Sequence, residues 1–147
     1  LLGKEIDAPE FKRLLEDIGK PSSVYEADEN TIYEFYEHGF GMACNRTNKR
    51  FWMLSFEFAT LPVKDGLMKP FSEELHAGIV STDRAADIEA KLGVKPKSFR
   101  EFKTNRKCTG KYELFPYHFT CVFESAEGVL EGLTVYSLAS SSSQKPA

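Results

Sequence analysis

The sequence is poor in the residues that build reactive centres. Among 147 residues there are three cysteines, three histidines and one tryptophan. Zinc needs three or four converging ligands. His38, His76 and His118 are scattered along the chain. His118 and Cys121 stand three apart, which on a strand puts them on opposite faces. No metal and no cofactor is expected. The G-x-S-x-G turn, the phosphate-binding loop and the dinucleotide fingerprint are all missing, so the chain offers no recognisable catalytic signature. Gly39 and Gly41 flank Phe40 in a way that suits a turn and a strand entry. Carboxylates at Glu57, Glu113, Glu124 and Glu131 are candidates by placement alone, and solvated sheet positions are the expected reading of them. No catalytic residue is assigned.

Charge is nearly balanced, with 19 Lys and Arg against 22 Asp and Glu. The formal net charge is −3, which gives no drive toward a phosphate backbone, and nucleic acid is not an expected partner. Basic residues gather at 46–50 and 100–107, where turns or strand ends are expected. No apolar run approaches the roughly 20 residues that span a bilayer. Leu1-Leu2-Gly3-Lys4 is not a complete signal peptide. The chain reads as soluble, either cytoplasmic or, where a signal peptide has been removed, secreted or periplasmic. Asn45-Arg46-Thr47 is a formal glycosylation sequon. Cys44 and Cys121 lie in alternating apolar stretches and are expected as buried thiols. Cys108 lies in a polar run and is expected to be exposed, with Arg106 and Lys107 beside it.

Aromatics are plentiful, with twelve Phe and six Tyr. Flat rings pack well across strands, so this composition favours a sheet. A first helix is expected after Asp7, with Glu10 at capping-box spacing and Pro9 in the first turn. Its apolar stripe is Phe11, Leu14, Leu15 and Ile18, and Gly19 with Pro21 ends it. Strands follow at Val24–Ala27, Thr31–Tyr36, Phe40–Cys44 and Arg50–Phe58. In the last, period-two alternation puts Trp52, Leu54, Phe56 and Phe58 in the core and Phe51, Met53, Ser55 and Glu57 on the other side.

A connection over 59–80 carries Leu61-Pro62, a Lys64-Asp65-Gly66 turn, Lys69-Pro70 and a helical turn near Ser72–Leu75. The pattern then restarts. Ser81, Thr82 or Asp83 caps a second helix with the stripe Ala85, Ile88 and Leu92, ended by Gly93 and Pro96. Strands follow at Phe99–Phe102, Lys111–Phe115, Tyr117–Glu124 and Val129–Leu138. Tyr117, Phe119, Cys121 and Phe123 point inward, while His118, Thr120, Val122 and Glu124 point outward. Pro116 marks an edge, bulge or break. The Ser-rich end, 139–147, reads as a disordered tail.

The expected architecture is therefore one α+β domain over 1–138, made of two helix-plus-antiparallel-meander repeats at about 5–58 and 81–138. Both helices pack on one face of a curved sheet. Ile18-Gly19-Lys20-Pro21 answers Leu92-Gly93-Val94-Lys95-Pro96, Phe40–Asn45 answers Phe119–Glu124, and Arg50–Phe58 answers Val129–Leu138. This order, twice over from about Glu5 to Leu138, resembles the tandem-repeat β-lactamase-inhibitor-protein architecture. It is also similar to single-unit outer-membrane-assembly lipoproteins of the BamE-like group. The resemblance implies binding, inhibition or assembly through an aromatic-rich sheet face and loops. The inhibitor family's disulfides do not carry over to three cysteines, and there is no N-terminal lipobox cysteine.

The functional expectation is a non-enzymatic protein-binding module, of inhibitor or immunity type, whose partner is another protein such as an enzyme or toxin. Its candidate interface is Tyr36, Arg50, Phe51, Met53, Arg100 and Arg106, since interface centres favour aromatic residues, Met and Arg. The alternatives are a small-molecule-binding or catalytic domain with a pocket between sheet and helices, and a structural domain that forms a homodimer through its outer face.

Overall fold

The computed structural model describes residues 2–63 and 66–137. The expected Lys64-Asp65 turn, Leu138 and the expected tail at 139–147 lie outside the described residues. Helix α1 spans Pro9–Ile18 and is followed by β1 (Ser23–Ala27), β2 (Asn30–Phe35), β3 (Phe40–Asn45) and β4 (Phe51–Glu57). Helix α2 spans Ala85–Leu92 and is followed by β7 (Ser98–Glu101), β8 (Cys108–Leu114), β9 (Tyr117–Phe123) and β10 (Leu130–Ser137). These eight strands form one sheet in the order β1-β2-β3-β4-β10-β9-β8-β7. Every neighbouring pair is antiparallel. Each helix thus precedes a four-strand meander, and the two meanders join where β4 pairs β10, Leu133 opposite Phe56 and Val135 opposite Leu54.

Both helices lie on the same sheet face, which follows from register. Phe11, Leu14, Leu15 and Ile18 pack with Tyr33, Phe35, Phe40, Met42, Cys44, Phe51 and Leu54. Ile88 and Leu92 pack with Cys108, Tyr112, Phe119, Cys121, Phe123, Leu130 and Leu133. Cross-strand pairs such as Met42–Leu54, Leu54–Val135 and Val135–Phe119 carry one face from the first cluster into the second. Burying these stripes is what stabilises two helices too short to persist alone in water.

Several local expectations change. Ala8, not Asp7, is the N-cap of α1, and no side chain caps it. Pro9 supplies the helical φ and needs no partner for a missing N–H. At α2 the N-cap is Arg84, whose backbone N–H donates to Asp87 Oδ2 at 2.9 Å. Asp83 does different work, accepting from the Val80 N–H at 3.0 Å and from Lys91 Nζ at 2.8 and 2.9 Å. The connection is more ordered than expected. It holds β5 (Leu61–Val63) paired with β6 (Gly66–Met68), and its helical turn falls at His76–Gly78. Gly39, at φ +69, lets this connection close on the sheet, because a Cβ there would come within 2.8 Å of Pro70 C. The Lys69 and Phe71 N–H groups donate to the carbonyls of Tyr36 and Glu57, both at 2.7 Å. Cys108 is fully buried rather than exposed, because it sits opposite Phe123 on the helix-covered face.

Candidate functional site

A one-residue bulge in β4 decides what each sheet face presents. Met42 opposes Leu54 and Ala43 opposes Met53, but Cys44 opposes Phe51. Trp52 is the extra residue. A bulge of this kind breaks the strict alternation of a strand, so Trp52 and Met53 share the face away from the helices. Phe51 returns to the core at 0% exposure, with its ring 4.9 Å from that of Phe11. This corrects two expectations: Phe51 is not exposed, and Trp52 is not core.

The bulge completes a row across the outer face. Tyr25 opposes Ile32, Ile32 opposes Ala43, and Ala43 opposes Met53. Met53 opposes Tyr136, which opposes His118, which opposes Glu113. Trp52 stacks on Tyr136 at 5.7 Å and donates its indole N–H to Asn30 Oδ1 at 2.8 Å. That bond fixes the ring plane while leaving its apolar body on the surface. The middle of the row carries no formal charge. At one end Glu34 and Tyr36 accompany Tyr25. Burial pushes the Glu34 carboxyl up, and burial followed by Glu34 and Tyr36 pushes the Tyr25 hydroxyl up. At the other end Glu113 lies 2.5 Å from His118 Nε2 and 2.8 Å from Lys97 Nζ. Lys97 first, then His118, holds the Glu113 carboxyl below its ordinary range.

The remaining expected interface residues distribute unevenly. Met53 lies at the centre of the row, and Tyr36 lies just past β2, half-buried beside Tyr25. Arg50 is engaged elsewhere, donating to the Gly3 carbonyl at 2.6 Å and to Glu5 at 3.2 Å, which ties the first residues to the start of β4. Arg100 is on the edge strand β7, and Arg106 is in the turn between β7 and β8. Four strand spacings separate β7 from β4, roughly 19 Å. These arginines do not ring Met53. Trp52, Tyr136, Ile32 and Tyr25 lie on this face as well and are not among the expected interface residues. The available signal was Phe51-Trp52-Met53-Leu54, four consecutive apolar residues that no single alternating parity can sort.

Beside the row, Glu57 faces Glu131, and Lys107 Nζ lies 3.1 and 3.2 Å from the two Glu131 oxygens. Burial first, then Glu131, raises the Glu57 carboxyl, and Lys107 opposes the shift. The thiols of Cys44, Cys108 and Cys121 are all raised by burial, Cys121 to about 12. The Asn45 amide of the sequon is buried, and its Oδ1 accepts from the N–H groups of Thr47 and Asn48. Among the described residues no group of three or more His, Cys, Asp or Glu is placed to hold a metal ion. Nor is any described helix long and apolar enough to cross a membrane.

The helix-side face holds a cleft between the two cores. One cavity of about 340 Å³ is lined by Leu54 and Phe56 of β4, Leu133 and Val135 of β10, Tyr117 and Phe119 of β9, and Leu2, Leu75 and Ile79. A second, of about 560 Å³, shares Leu54 and Phe56 and runs beneath α1 to Asp17, Glu37 and Glu73.

No protein-family profile matches the chain, and no curated protein sequence matches it. Solved structures do. An extracellular protein containing an SCP domain from Bacillus anthracis superposes on 92% of this chain with a TM-score of 0.60 at 8% identity. A cysteine-rich secretory protein from Staphylococcus aureus superposes on 95% with a TM-score of 0.54 at 12% identity. A DUF4309 family protein from Bacillus subtilis gives a TM-score of 0.48 at 10% identity, over 91% of this chain and 81% of its own. This chain spans 44% of the length of each of the first two. The likeness is one of fold. None of the three is a β-lactamase-inhibitor protein or a BamE-like lipoprotein.

Proposed function

We propose that this chain is a non-enzymatic protein-binding module that takes another protein, of the enzyme or toxin kind, on the sheet face opposite its helices. The observation that carries the reading is the bulge at Trp52. It places an indole and a thioether side by side on the outer face, with Tyr136 directly across from Met53. Trp, Tyr and Met are the side chains that protein interfaces concentrate at their centres, and an uncharged centre with charged ends is the usual layout. Burial raises the pKa of all three thiols, which disfavours a thiolate nucleophile at neutral pH and supports the reading to that extent. The two helix-then-four-strand units read as copies of one ancestral unit, joined at β4 and β10.

The test is photocrosslinking from a reactive residue placed at Met53, with an exposed control at Lys12 on α1. The reading expects one discrete crosslinked protein from position 53 and none from position 12. Purified, that protein must bind the wild-type chain, and Met53→Glu must weaken the complex. Equal crosslinking from both positions rejects the surface. A crosslink only to a second copy of the chain replaces the reading with self-association.

A further inference from the structure

We infer that the helix-side cleft is a second binding site, and that it takes a single-chain amphiphile with an apolar tail and a basic head. The two cavities are neighbours that share two wall residues, Leu54 and Phe56. The apolar one has a volume of about 340 Å³, inside the roughly 300–1,000 Å³ of ligand pockets. Its nine lining residues carry no charge, and Tyr117 supplies the one side-chain hydroxyl. Such a wall accepts methylene groups and rejects a charged group, whose desolvation nothing there offsets. The walls come from strands of both meanders, with Leu75 and Ile79 of the connection closing one side.

The second cavity, of about 560 Å³, has a different chemistry. Asp17, Glu37 and Glu73 line it, with His38 and Ser72 as the other polar side chains. Lys69 pairs with Glu37 at 2.6 Å. Asp17 and Glu73 have no ion-pair partner among the described residues, so the lining of this cavity keeps a net negative charge. A tail lying along Leu54 and Phe56 brings its head to these carboxylates. An ammonium or amidinium head is attracted there, and a carboxylate or phosphate head is repelled. The attraction is between exposed groups and weakens as salt is added. Trp52 lies on the opposite face of the sheet and takes no part.

The experiment is calorimetric titration of the intact protein with three probes that share one saturated tail: a primary amine, an alcohol and a fatty acid, each below its micelle-forming concentration. The expected order is amine, then alcohol, then acid, with the amine bound about tenfold more tightly than the acid at low salt. Asp17→Asn combined with Glu73→Gln is expected to bring the amine down to the alcohol while leaving the alcohol unchanged. Leu75→Lys, at a half-buried wall position, is expected to weaken all three. Saturable binding of none of the probes overturns the site. Equal binding of all three overturns the assignment of the head. A double variant that weakens amine and alcohol alike also overturns it, because the carboxylates would then be acting on the fold and not on the head.

Discussion

Trp52 and Met53 are adjacent in the chain and lie on the same face of the sheet. The bulge opposite Ala43 and Cys44 puts them there, and it returns Phe51 to the core against Phe11. The outer aromatic row and the packing of α1 both depend on that one extra residue.

The bulge predicts unequal costs for neighbouring substitutions. Phe51→Ala empties a fully enclosed site and is expected to lower stability by about 3–5 kcal/mol. Met53→Ala, on the half-exposed outer face, is expected to cost below about 1 kcal/mol. Urea unfolding of the two variants checks this. Similar costs would mean that strand β4 keeps a plain alternation.

The clamp between Asp83 and Lys91 is the second prediction. Asp83 is 5% exposed, and its oxygens hold Lys91 and the Val80 N–H. Lys91 also donates to the Gly78 carbonyl at 2.7 Å, so the pair ties the connection to α2. Asp83→Ala is expected to cost about 2–3 kcal/mol, the range for a charged hydrogen-bonding group whose partner keeps some solvent. A double-mutant cycle with Lys91→Met should show coupling between the two changes.

Glu57 gives a pH prediction. Its folded-state carboxyl is raised above the ordinary value, mainly by burial and then by Glu131. The native state therefore holds that proton more tightly than the unfolded chain does. Its contribution to stability is fully present below the unfolded-state value and is lost as pH rises through the folded-state value. Glu57→Gln is expected to raise the melting temperature at pH 7 and to leave it nearly unchanged at pH 4. Thermal melts at the two pH values check the sign.

The thiols predict a reactivity pattern. Cys44, Cys108 and Cys121 are all buried, and burial raises each above its ordinary value. A thiol-reactive chromogenic disulfide is expected to label none of them in the native protein and all three in denaturant. Fast native labelling of any one thiol, located by peptide mapping, would contradict the burial of that cysteine.

Much of the fold is legible in the residues alone because it follows two periods. The stripes Phe11-Leu14-Leu15-Ile18 and Ala85-Ile88-Leu92 locate both helices. Alternation such as Tyr117-Phe119-Cys121-Phe123 locates the sheet strands within a few residues. Pairing is less legible. Nothing local to β4 or β10 says that Met53 will meet Tyr136, since that contact joins the ends of two distant meanders. The bulge hides for a related reason: Phe51-Trp52-Met53-Leu54 is apolar throughout, so either parity gives a plausible core. Asp83 looks like a helix cap by position, and only the fold brings Lys91 and Val80 to it. In consequence the residues alone place Met53 but not Trp52 on the outer face, and they put Phe51 on the wrong side of the sheet.

The Trp52–Met53–Tyr136 surface is proposed as the place where a partner protein binds. The most direct measurement is the affinity of the partner crosslinked at position 53 for the wild-type chain and for Met53→Glu, with the emission of Trp52, the one tryptophan, recorded in the same titration. The account predicts a shift of Trp52 emission on binding and a loss of at least about 30-fold in affinity for the variant, the scale of an interface hot spot, with the variant still folded. Unchanged affinity together with unchanged Trp52 emission would contradict it.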